Sequence, residues 1–298
     1  MGLHYVGFTP EATREITQNP PKVLIVAQAD VLADDPNALN WLSKVDTIIS
    51  LNLFADGITE VADAVLPIQS FAERDGTFTS GERRVQRFYT AQGPIGESLP
   101  AWQIFSRLGE QLGQGRTKLS AAAVMKELTE NIDVFAGMRY KELAQVERQF
   151  PDVGGKDLYY GGTVYQNKGG LGVQIETSAD KGETVSAGTV NLPDAPKAKK
   201  GQLLIVPVVR LYNRQSTFKP SELVHPRVAQ PYVEINSADA AKMNINSGDL
   251  VEVTADHVSV QVRAYVNGNA PEGSAVLPRH LTDEATPMAL TVGEIKKV

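Results

Sequence analysis

Residues 22–51 read KVLIVAQADVLADDPNALNWLSKVDTIISL, and this stretch sets the fold class of the first part of the chain. The run 22–28 is short, apolar and rich in β-branched residues, which predicts a strand buried on both faces, as in a parallel sheet. A helix is predicted over 37–44 and a second strand over 46–51. This order is a β–α–β unit, so we expect a parallel α/β region here.

A third short strand is predicted over 62–67, where Pro67 ends it. Doubly wound domains usually contain about five or six strands, so this region resembles a partial Rossmann-like sheet. We therefore expect the remaining strands on an upstream part of a longer polypeptide or on a separate partner chain.

The middle of the chain predicts helices followed by a glycine-rich linker. Apolar residues recur at helical spacing over 101–112, and two further amphipathic helices are predicted over 120–131 and 139–150. Ser120 is the expected N-cap of the first of these two. Over 154–200 the composition shifts to Gly, Asp, Lys, Pro and Ala, which is typical of a loop with one hairpin.

Strand-like runs dominate the last hundred residues of the chain. They cover residues 202–209, 232–235, 250–255, 258–266 and 274–277. One short helix is predicted over 238–244 behind a Ser237 cap, and Asp256-His257 predicts a tight turn. A small closed barrel fits best, because closure removes the exposed edges of so many short strands.

These patterns predict three segments. The expected division is residues 20–115 for the partial parallel α/β region, 116–200 for the helical and glycine-rich linker, and 201–298 for the β-barrel.

The composition excludes several classes of function. The sequence contains no cysteine, which excludes disulfides, thiolate nucleophiles and cysteine-ligated iron–sulfur clusters within it. Its formal net charge is −6 and it has no stripe of Lys and Arg, so no nucleic-acid partner is expected. No run of about 20 apolar residues is present, so we expect no direct membrane insertion and a cytoplasmic location.

No catalytic or metal site is predicted from the residues. No two of the four histidines, His4, His225, His257 and His280, are spaced to share a helical turn. No Gly-x-Ser-x-Gly nucleophile motif is present. The adjacent carboxylates of Asp34 and Asp35 precede a predicted helix, where negative charge favours the helix dipole, so they need no catalytic explanation. His225 and His280 flank apolar strands, where a hydrogen-bonded structural histidine is the usual case.

Two motifs resemble the molybdopterin oxidoreductase family. Residues 62–86, ADAVLPIQSFAERDGTFTSGERRVQ, are similar to a family signature in which a Gly-Thr-Phe-Thr-Asn-like turn leads to Glu-Arg-Arg-Val-Gln. Ser80 stands where asparagine is commoner. Residues 235–253, INSADAAKMNINSGDLVEV, are similar to the family's dinucleotide-binding barrel. The resemblance therefore implies that the predicted barrel is a double-psi β-barrel.

A third segment narrows this resemblance. Residues 210–227, RLYNRQSTFKPSELVHPR, lack the Gly-Arg-x-x-Glu-x-x-His-Thr pattern of enzymes that hold the pterin. They look more like the large iron–sulfur subunit of NADH-quinone oxidoreductase, respiratory complex I, as does the linker over 160–174. In that subunit the clusters lie in the amino-terminal part, and the molybdopterin-like part is regarded as a fold retained without its metal.

The narrower resemblance implies a non-catalytic structural portion of the peripheral arm of complex I. It implies that this chain binds no cofactor, and that it lies peripheral to the inner membrane as part of a complex. The implied partners are other NADH-quinone oxidoreductase subunits or the cluster-bearing amino-terminal half.

Two alternatives stay open. The first alternative is a fragment of an oxidoreductase that binds molybdopterin guanine dinucleotide and whose catalytic half lies upstream. The second is a stand-alone module that binds a nucleotide-like ligand. Under the first alternative, arginine and hydroxyl donors would contact pyrophosphate oxygens. The candidate cofactor-binding residues are Thr77, Ser80, Arg83, Arg84, Ser221 and His225. Structural explanations exist for some of the same residues. Arg83 and Arg84 would form interdomain ion pairs, and Ser221 would cap a turn.

Overall fold

The computed structural model describes residues 2–81, 83–144, 146–147, 170–184, 186 and 194–298. Its helices are α1 (Gly2–Tyr5), α2 (Pro10–Gln18), α3 (Val31–Asp34), α4 (Ala38–Leu42), α5 (Gly57–Val61), α6 (Ala101–Gln111), α7 (Ala121–Asn131), α8 (Tyr140–Leu143) and α9 (Ser237–Lys242). Its strands are β1 (Val23–Ala27), β2 (Thr47–Asn52), β3 (Ala64–Pro67), β4 (Gly76–Thr79), β5 (Arg84–Phe88), β6 (Val146–Glu147), β7 (Gly170–Leu171), β8 (Val173–Gln174), β9 (Leu203–Val209), β10 (Tyr232–Asn236), β11 (Leu250–Ala255), β12 (Val258–Asn267), β13 (Ser274–Arg279) and β14 (Thr291–Lys297). Short 3-10 helices lie at Asp133–Phe135 and His225–Arg227.

The chain divides into two compact units, each built from separate stretches of sequence. The hairpin unit comprises Met1–Asn19 and Leu66–Thr189, and the barrel unit comprises Pro20–Val65 and Val190–Val298. The three-segment division expected from the sequence stays a prediction. Across the residues that the structure describes, no helix is both long enough and apolar enough to span a membrane.

A closed barrel is the main element of the barrel unit. Its strands follow the order β10-β12-β11-β14-β9-β13, in which β10 and β12 are parallel, as are β9 and β13. Side chains alternate across a strand, so every second residue of β11 and β12 points into the barrel. These buried residues are Val251, Val253, Ala255, Val260, Val262 and Ala264. The predicted closed barrel is confirmed, and so is the predicted turn, where Asp256 and His257 both have positive φ.

Strand β14 closes the barrel and was absent from the sequence prediction. It pairs antiparallel with both β11 and β9. A Cβ atom at Gly293 would lie 2.7 Å from the Thr254 carbonyl oxygen and 2.7 Å from Ile205 Cγ1. The backbone of β14 therefore approaches its neighbours more closely than a residue with a side chain would allow.

The helix in the barrel begins one residue earlier than predicted. Helix α9 starts at Ser237, and its N-cap is Asn236, whose Oδ1 accepts a hydrogen bond from the Ala238 backbone N–H at 2.8 Å. The expected Ser237 cap is therefore wrong. Asparagine caps a helix as effectively as serine, so residue type alone did not distinguish these neighbouring positions.

The parallel α/β region of the barrel unit is confirmed. Strands β1 and β2 pair in parallel from Val23↔Thr47 to Ala27↔Leu51, and the sheet order is β1-β2-β3. Its core consists of Val26, Ala38, Leu42, Ile48 and Ile58. Strand β1 was expected to be buried on both faces, which is wrong, since Val23 is 55% exposed. The reason is that β1 is an edge strand of this sheet.

Side chains at the end of β13 contact helix α3. His280 Nε2 lies 3.3 Å from Asp34 Oδ1, and Arg279 Nη2 lies 3.7 Å from the same oxygen. Burial and the Arg279 charge lower the pKa of His280, while Asp34 opposes this shift. The imidazole is therefore neutral at neutral pH, and it makes the structural contact expected of a buried histidine.

The hairpin unit is built on the antiparallel pair β4 and β5, with β8 added beside β5. Its buried core residues are Val85, Met125, Phe135, Met138, Tyr140, Leu143 and Ile175. The helices predicted over 101–112 and 120–131 are present as α6 and α7. Ser120 caps α7 as expected, because its Oγ accepts from the Ala123 N–H at 3.2 Å.

Two predictions in this unit are wrong. The Gly-Thr-Phe-Thr segment was taken as a turn, but it forms β4, because it pairs along its length with β5. The helix expected over 139–150 ends at Leu143, and Val146 pairs with Leu171 instead. Strand pairing with a distant segment outweighs a weak local helical preference. Residues 148–150 of that helix, and residues 154–169 of the loop expected over 154–200, lie outside the described residues.

The close approach at Gly293 gives a stability prediction. Gly293→Ala is expected to lower the free energy of unfolding by about 1–3 kcal/mol, because the added methyl group overpacks the β14 interface. Gly268→Ala is the matched control, since a Cβ atom there meets nothing within 4 Å. Urea unfolding of both variants measures the difference. Equal stability of the two variants would contradict a sterically closed β14.

Candidate functional site

Polar residues gather where β1 and β2 end in the barrel unit. Asp30 follows β1, Asn52 ends β2, and Asp56 follows shortly after it. Because β1 and β2 are parallel, their carboxyl ends lie at one edge of the sheet, where open α/β sheets bind ligands. Together with Ser216, these residues form what we call the carboxyl-end cluster.

Asp56 is the centre of this cluster. Its Oδ2 accepts hydrogen bonds from Asn52 Nδ2 at 2.7 Å and from Ser216 Oγ at 3.2 Å. Its Oδ1 is buried and has no hydrogen-bond partner among the described residues. Asp56 also stands at the N-cap position of α5, yet its side chain makes no capping hydrogen bond. The carboxylate therefore points its acceptor atoms into the cluster rather than toward the helix.

Asp30 is the second carboxylate of the cluster. Its Oδ1 accepts from the Ala33 N–H at 3.3 Å and so caps α3. A Cβ atom at residue 57 would lie 3.3 Å from this oxygen, so the absence of a side chain at Gly57 leaves room for the carboxylate. The start of α5 and the start of α3 are thereby held close together.

The electrostatics of the cluster disfavour the ionised form of Asp56. Burial is the largest cause that raises the pKa of Asp56 above its ordinary value, and the negative charge of Asp30 raises it further. Hydrogen bonds from Ser216 and Asn52 oppose the shift without reversing it. The site therefore holds a carboxylate whose full stabilisation needs further hydrogen-bond donors.

The cluster is suited to binding rather than to covalent or metal chemistry. It offers acceptor oxygens, and a buried acceptor without a donor carries a desolvation cost. Ligand N–H groups, such as those of a nucleobase, would remove this cost. Among the described residues no group of three His, Asp or Glu side chains is placed to hold a metal ion.

Four of the residues expected from the sequence to bind a cofactor lie on one hairpin. Thr77 is in β4, opposite Arg87 of β5. Ser80 closes the turn, since its Oγ accepts from the Arg84 N–H at 3.3 Å and its N–H donates to the Arg84 carbonyl at 2.9 Å. Arg84 is buried, with 8% of its surface exposed. All four residues thus lie on the β4–β5 hairpin, and their role toward a cofactor stays a prediction.

Arg83 holds this hairpin to Ile175, the residue that follows β8. Its Nε donates to the Ile175 carbonyl at 3.2 Å, and the Ile175 N–H donates to the Arg83 carbonyl at 2.9 Å. The residue adopts a φ of 64°, a left-handed conformation that is uncommon for arginine. Its contacts with Ile175 are structural, and its role toward a cofactor stays a prediction.

The other two expected residues lie in the barrel unit, in the loop before β10. Ser221 is half-buried, its N–H donates to the Phe218 carbonyl at 2.9 Å, and its own carbonyl accepts from Val224 at 3.0 Å. His225 is exposed, and its Nε2 lies 2.8 Å from the Lys219 carbonyl oxygen. Both residues therefore make hydrogen bonds within turns of this loop, and their role toward a cofactor stays a prediction.

The carboxyl-end cluster was missed in the sequence. The two predicted strands and their parallel order were sufficient to point to Asp30 and Asp56, because residues after adjacent parallel strands meet at one edge. No local pattern identifies Ser216, which lies 160 residues from Asp56 in sequence.

Comparison with known families identifies both regions that the sequence motifs suggested. A model of molybdopterin oxidoreductases matches residues 1–111. A model described as the molydopterin dinucleotide binding domain matches residues 202–297. The first match contains the α/β strands and the β4–β5 hairpin, and the second contains the barrel.

Curated relatives are similar to this chain over nearly its whole length. It is 29% identical to the alpha subunit of F420-dependent formate dehydrogenase 2 of Methanococcus maripaludis, over 93% of this chain and 42% of the relative. It is 26% identical to the F420-dependent formate dehydrogenase alpha subunit of Methanocaldococcus jannaschii, over 95% of this chain and 42% of the relative. The chain thus spans about two-fifths of the length of these relatives.

A solved structure has the same fold. The acetylene hydratase of Pelobacter acetylenicus superimposes with a TM-score of 0.62 over 96% of this chain and 46% of its own, at 16% identity. The α/β region and the barrel are thus those of a known architecture. The chain carries a molybdopterin oxidoreductase region over residues 1–111 and a molybdopterin dinucleotide-binding domain over residues 202–297.

Proposed function

We propose that this chain forms the nucleotide-binding portion of a molybdopterin-dependent oxidoreductase of the formate dehydrogenase alpha-subunit type. The observation that carries the proposal is the buried, unpartnered Oδ1 of Asp56 in the carboxyl-end cluster. The two matching family models and the formate dehydrogenase relatives support the same assignment. This is the alternative that the sequence left open.

The residues of the cluster fit the nucleotide end of a molybdopterin dinucleotide. A guanine base presents N–H donors on one edge, and a carboxylate accepts such donors well. Asp56 would hold the base, and Asn52 and Ser216 would hold Asp56 in place. When bound, the cofactor supplies the metal centre at which substrate is oxidised.

The arginine and hydroxyl residues named from the motifs stay candidates for the phosphate groups of the cofactor. Thr77, Ser80, Arg83 and Arg84 lie together on the β4–β5 hairpin, whereas Ser221 and His225 lie in the loop before β10. Arginine donors suit phosphate oxygens through charge-assisted hydrogen bonds. The catalytic half, with its iron–sulfur clusters, would lie on an upstream part of a longer polypeptide or on a separate partner chain.

A second candidate is the structural portion of the large iron–sulfur subunit of NADH-quinone oxidoreductase. The sequence of residues 210–227 supports it, because the Gly-Arg-x-x-Glu-x-x-His-Thr pattern of pterin-holding enzymes is absent there. Under this hypothesis the carboxyl-end cluster has no ligand, and the partners are other complex I subunits.

Nucleotide binding tests the role of Asp56. The full chain is expected to bind GMP more tightly than AMP, and Asp56→Asn is expected to weaken GMP binding by about tenfold to a hundredfold. Loss of a hydrogen bond to a charged acceptor has this magnitude. Titration calorimetry measures both affinities.

Asp46→Asn is the matched control for this titration, since Asp46 is exposed at the amino end of β2. It should leave GMP affinity unchanged. Equal affinity of the wild-type chain and Asp56→Asn for GMP would argue against the carboxyl-end cluster as a base-binding site.

The pH dependence of the free energy of unfolding tests the raised pKa of Asp56. The folded-state pKa lies above the ordinary value of 3.8, so this carboxyl contributes stability in acid that is lost as pH rises through the raised pKa. Asp56→Asn should therefore become more stable relative to the unliganded wild type as pH rises through that range. Urea unfolding at a series of pH values measures this. A stability difference between Asp56→Asn and the wild type that does not change with pH would contradict the raised pKa of Asp56.

Cofactor analysis distinguishes the two candidate functions. Purification of the full chain with its associated polypeptides under native conditions is expected to give molybdenum together with an extractable pterin. Elemental analysis and pterin fluorescence provide the measurement. Complex I subunits recovered without molybdenum or pterin would support the second candidate and contradict the first.

A further inference from the structure

The sequence contains a single Asn-Gly pair, Asn267-Gly268, and it lies in the barrel unit where β12 ends. In such a pair the backbone nitrogen of the glycine can attack the side-chain carbonyl carbon of the asparagine and close a succinimide ring. Glycine favours this reaction because it has no side chain to hinder the approach and its backbone rotates freely. Asparagine is accordingly among the thermolabile residues of proteins.

The attacking nitrogen is not engaged by the fold. The parallel register of β10 and β12 ends at Asn236↔Asn267, and the Gly268 N–H donates no hydrogen bond within the described part of the chain. Gly268 is exposed, and a Cβ atom placed on it would meet no heavy atom within 4 Å. The nitrogen can therefore lose its proton to solvent without breaking a native hydrogen bond, and water has room to reach it.

The side chain of Asn267 is held along the segment that contains this nitrogen. Its Oδ1 accepts a hydrogen bond from the Asn269 N–H at 2.8 Å, so the carboxamide spans Gly268 in an Asx turn. The same hydrogen bond polarises the side-chain carbonyl group. It would also stabilise the negative charge that develops on Oδ1 when the Gly268 nitrogen attacks Cγ.

The amide nitrogen that would leave has no stabilising partner. Asn267 Nδ2 is buried and donates to no acceptor among the described residues. A buried donor without an acceptor costs free energy in the folded state, so its departure breaks no native hydrogen bond and removes this cost. Because Gly268 and Asn269 are both exposed, the leaving group can escape through a local opening of the loop that follows β12.

We propose that Asn267 is a site of spontaneous deamidation and isomerisation in the folded chain. The Gly268 nitrogen, after losing its proton to water or hydroxide, forms a bond to Asn267 Cγ. The bond between Cγ and Nδ2 then breaks, and Nδ2 takes up a proton and leaves as ammonia. Water opens the succinimide at either carbonyl group, which gives aspartate or isoaspartate. One water is consumed and one ammonia is released, with no oxidation or reduction.

The modification would change the barrel at the point where β12 leaves it. Isoaspartate carries the main chain through the side-chain carbon, and so adds a methylene group to the backbone opposite Asn236. Asn236 caps α9, and its Nδ2 donates to the Ala270 carbonyl at 2.7 Å, so the altered loop is tied to this helix. Aspartate would place a charged oxygen where Nδ2 of Asn267 is buried. Both products are therefore expected to destabilise the barrel. The proposal goes beyond the proposed function, because it involves none of the candidate cofactor-binding residues.

Mass spectrometry of the aged full chain tests the proposal. The folded chain is incubated in mildly alkaline buffer made with ¹⁸O-labelled water, sampled over time, and digested at acidic pH so that digestion itself adds no deamidation. The peptide that contains Asn267 is expected to gain the mass of an NH₂ group replaced by a labelled OH group. Fragmentation by electron transfer distinguishes isoaspartate from aspartate.

Gly268→Ala is the matched variant. The backbone at Gly268 does not have a positive φ, and an added Cβ atom meets nothing within 4 Å, so alanine fits the fold without strain. Its methyl group hinders attack by the neighbouring nitrogen, so the labelled product at Asn267 should be lost over the period in which the wild type is converted. Asn269, which precedes Ala270 in the same loop, is the internal control and should stay unmodified in both chains.

Two outcomes would overturn the proposal. One is conversion of Asn267 at the same rate in the wild type and in Gly268→Ala. The other is absence of conversion in the folded wild type under conditions in which the urea-unfolded chain is converted, because the fold would then protect the pair. Both outcomes are separable from that of the proposed function, since GMP binding depends on Asp56 and is measured on freshly purified chain.

Discussion

The parallel pairing of β1 with β2 is the constraint on which the candidate site depends. In-register pairing from Val23↔Thr47 to Ala27↔Leu51 makes both strands end together, so the segments that leave them start side by side. Asp30 caps α3 with its side chain, and Asp56 stands at the N-cap position of α5 without capping it, so both lie at this edge. The result is a pair of like charges whose mutual repulsion, added to burial, raises the pKa of Asp56. A site of this kind reduces stability until a ligand supplies the missing donors, which is a recurrent property of functional sites.

The barrel supports the same edge from elsewhere in the sequence. Ser216 donates to Asp56, and the end of β13 reaches α3 through Arg279 and His280, which both approach Asp34. Residues far along the chain thus stabilise the segments that follow β1 and β2. This explains why Pro20–Val65 belongs to the same compact unit as the barrel, although most of the hairpin unit separates them in sequence.

Local patterns in the sequence were sufficient for the elements whose own residues determine them. The apolar run of β1, the helical spacing of α6 and the alternation in β11 and β12 each depend on neighbouring residues, and these predictions agree with the structure. Strand β14 escaped detection because Gly293 and its lysines break the apolar pattern, and its strand character depends on contacts with β9 and β11. The same reasoning applies to Val146, whose partner lies 25 residues further along the chain. Elements defined by distant pairing cannot be found from periodicity alone.

The unsatisfied acceptor of the carboxyl-end cluster bears on the proposed cofactor. The cluster supplies acceptor oxygens with a shortage of donors, and a guanine base carries N–H groups that could supply them. A protein fold that only retained a molybdopterin-like shape would gain stability by losing such unsatisfied buried groups, because each is costly without a partner. That Asp56 keeps a buried acceptor without a donor is therefore easier to reconcile with a bound ligand than with a purely structural role.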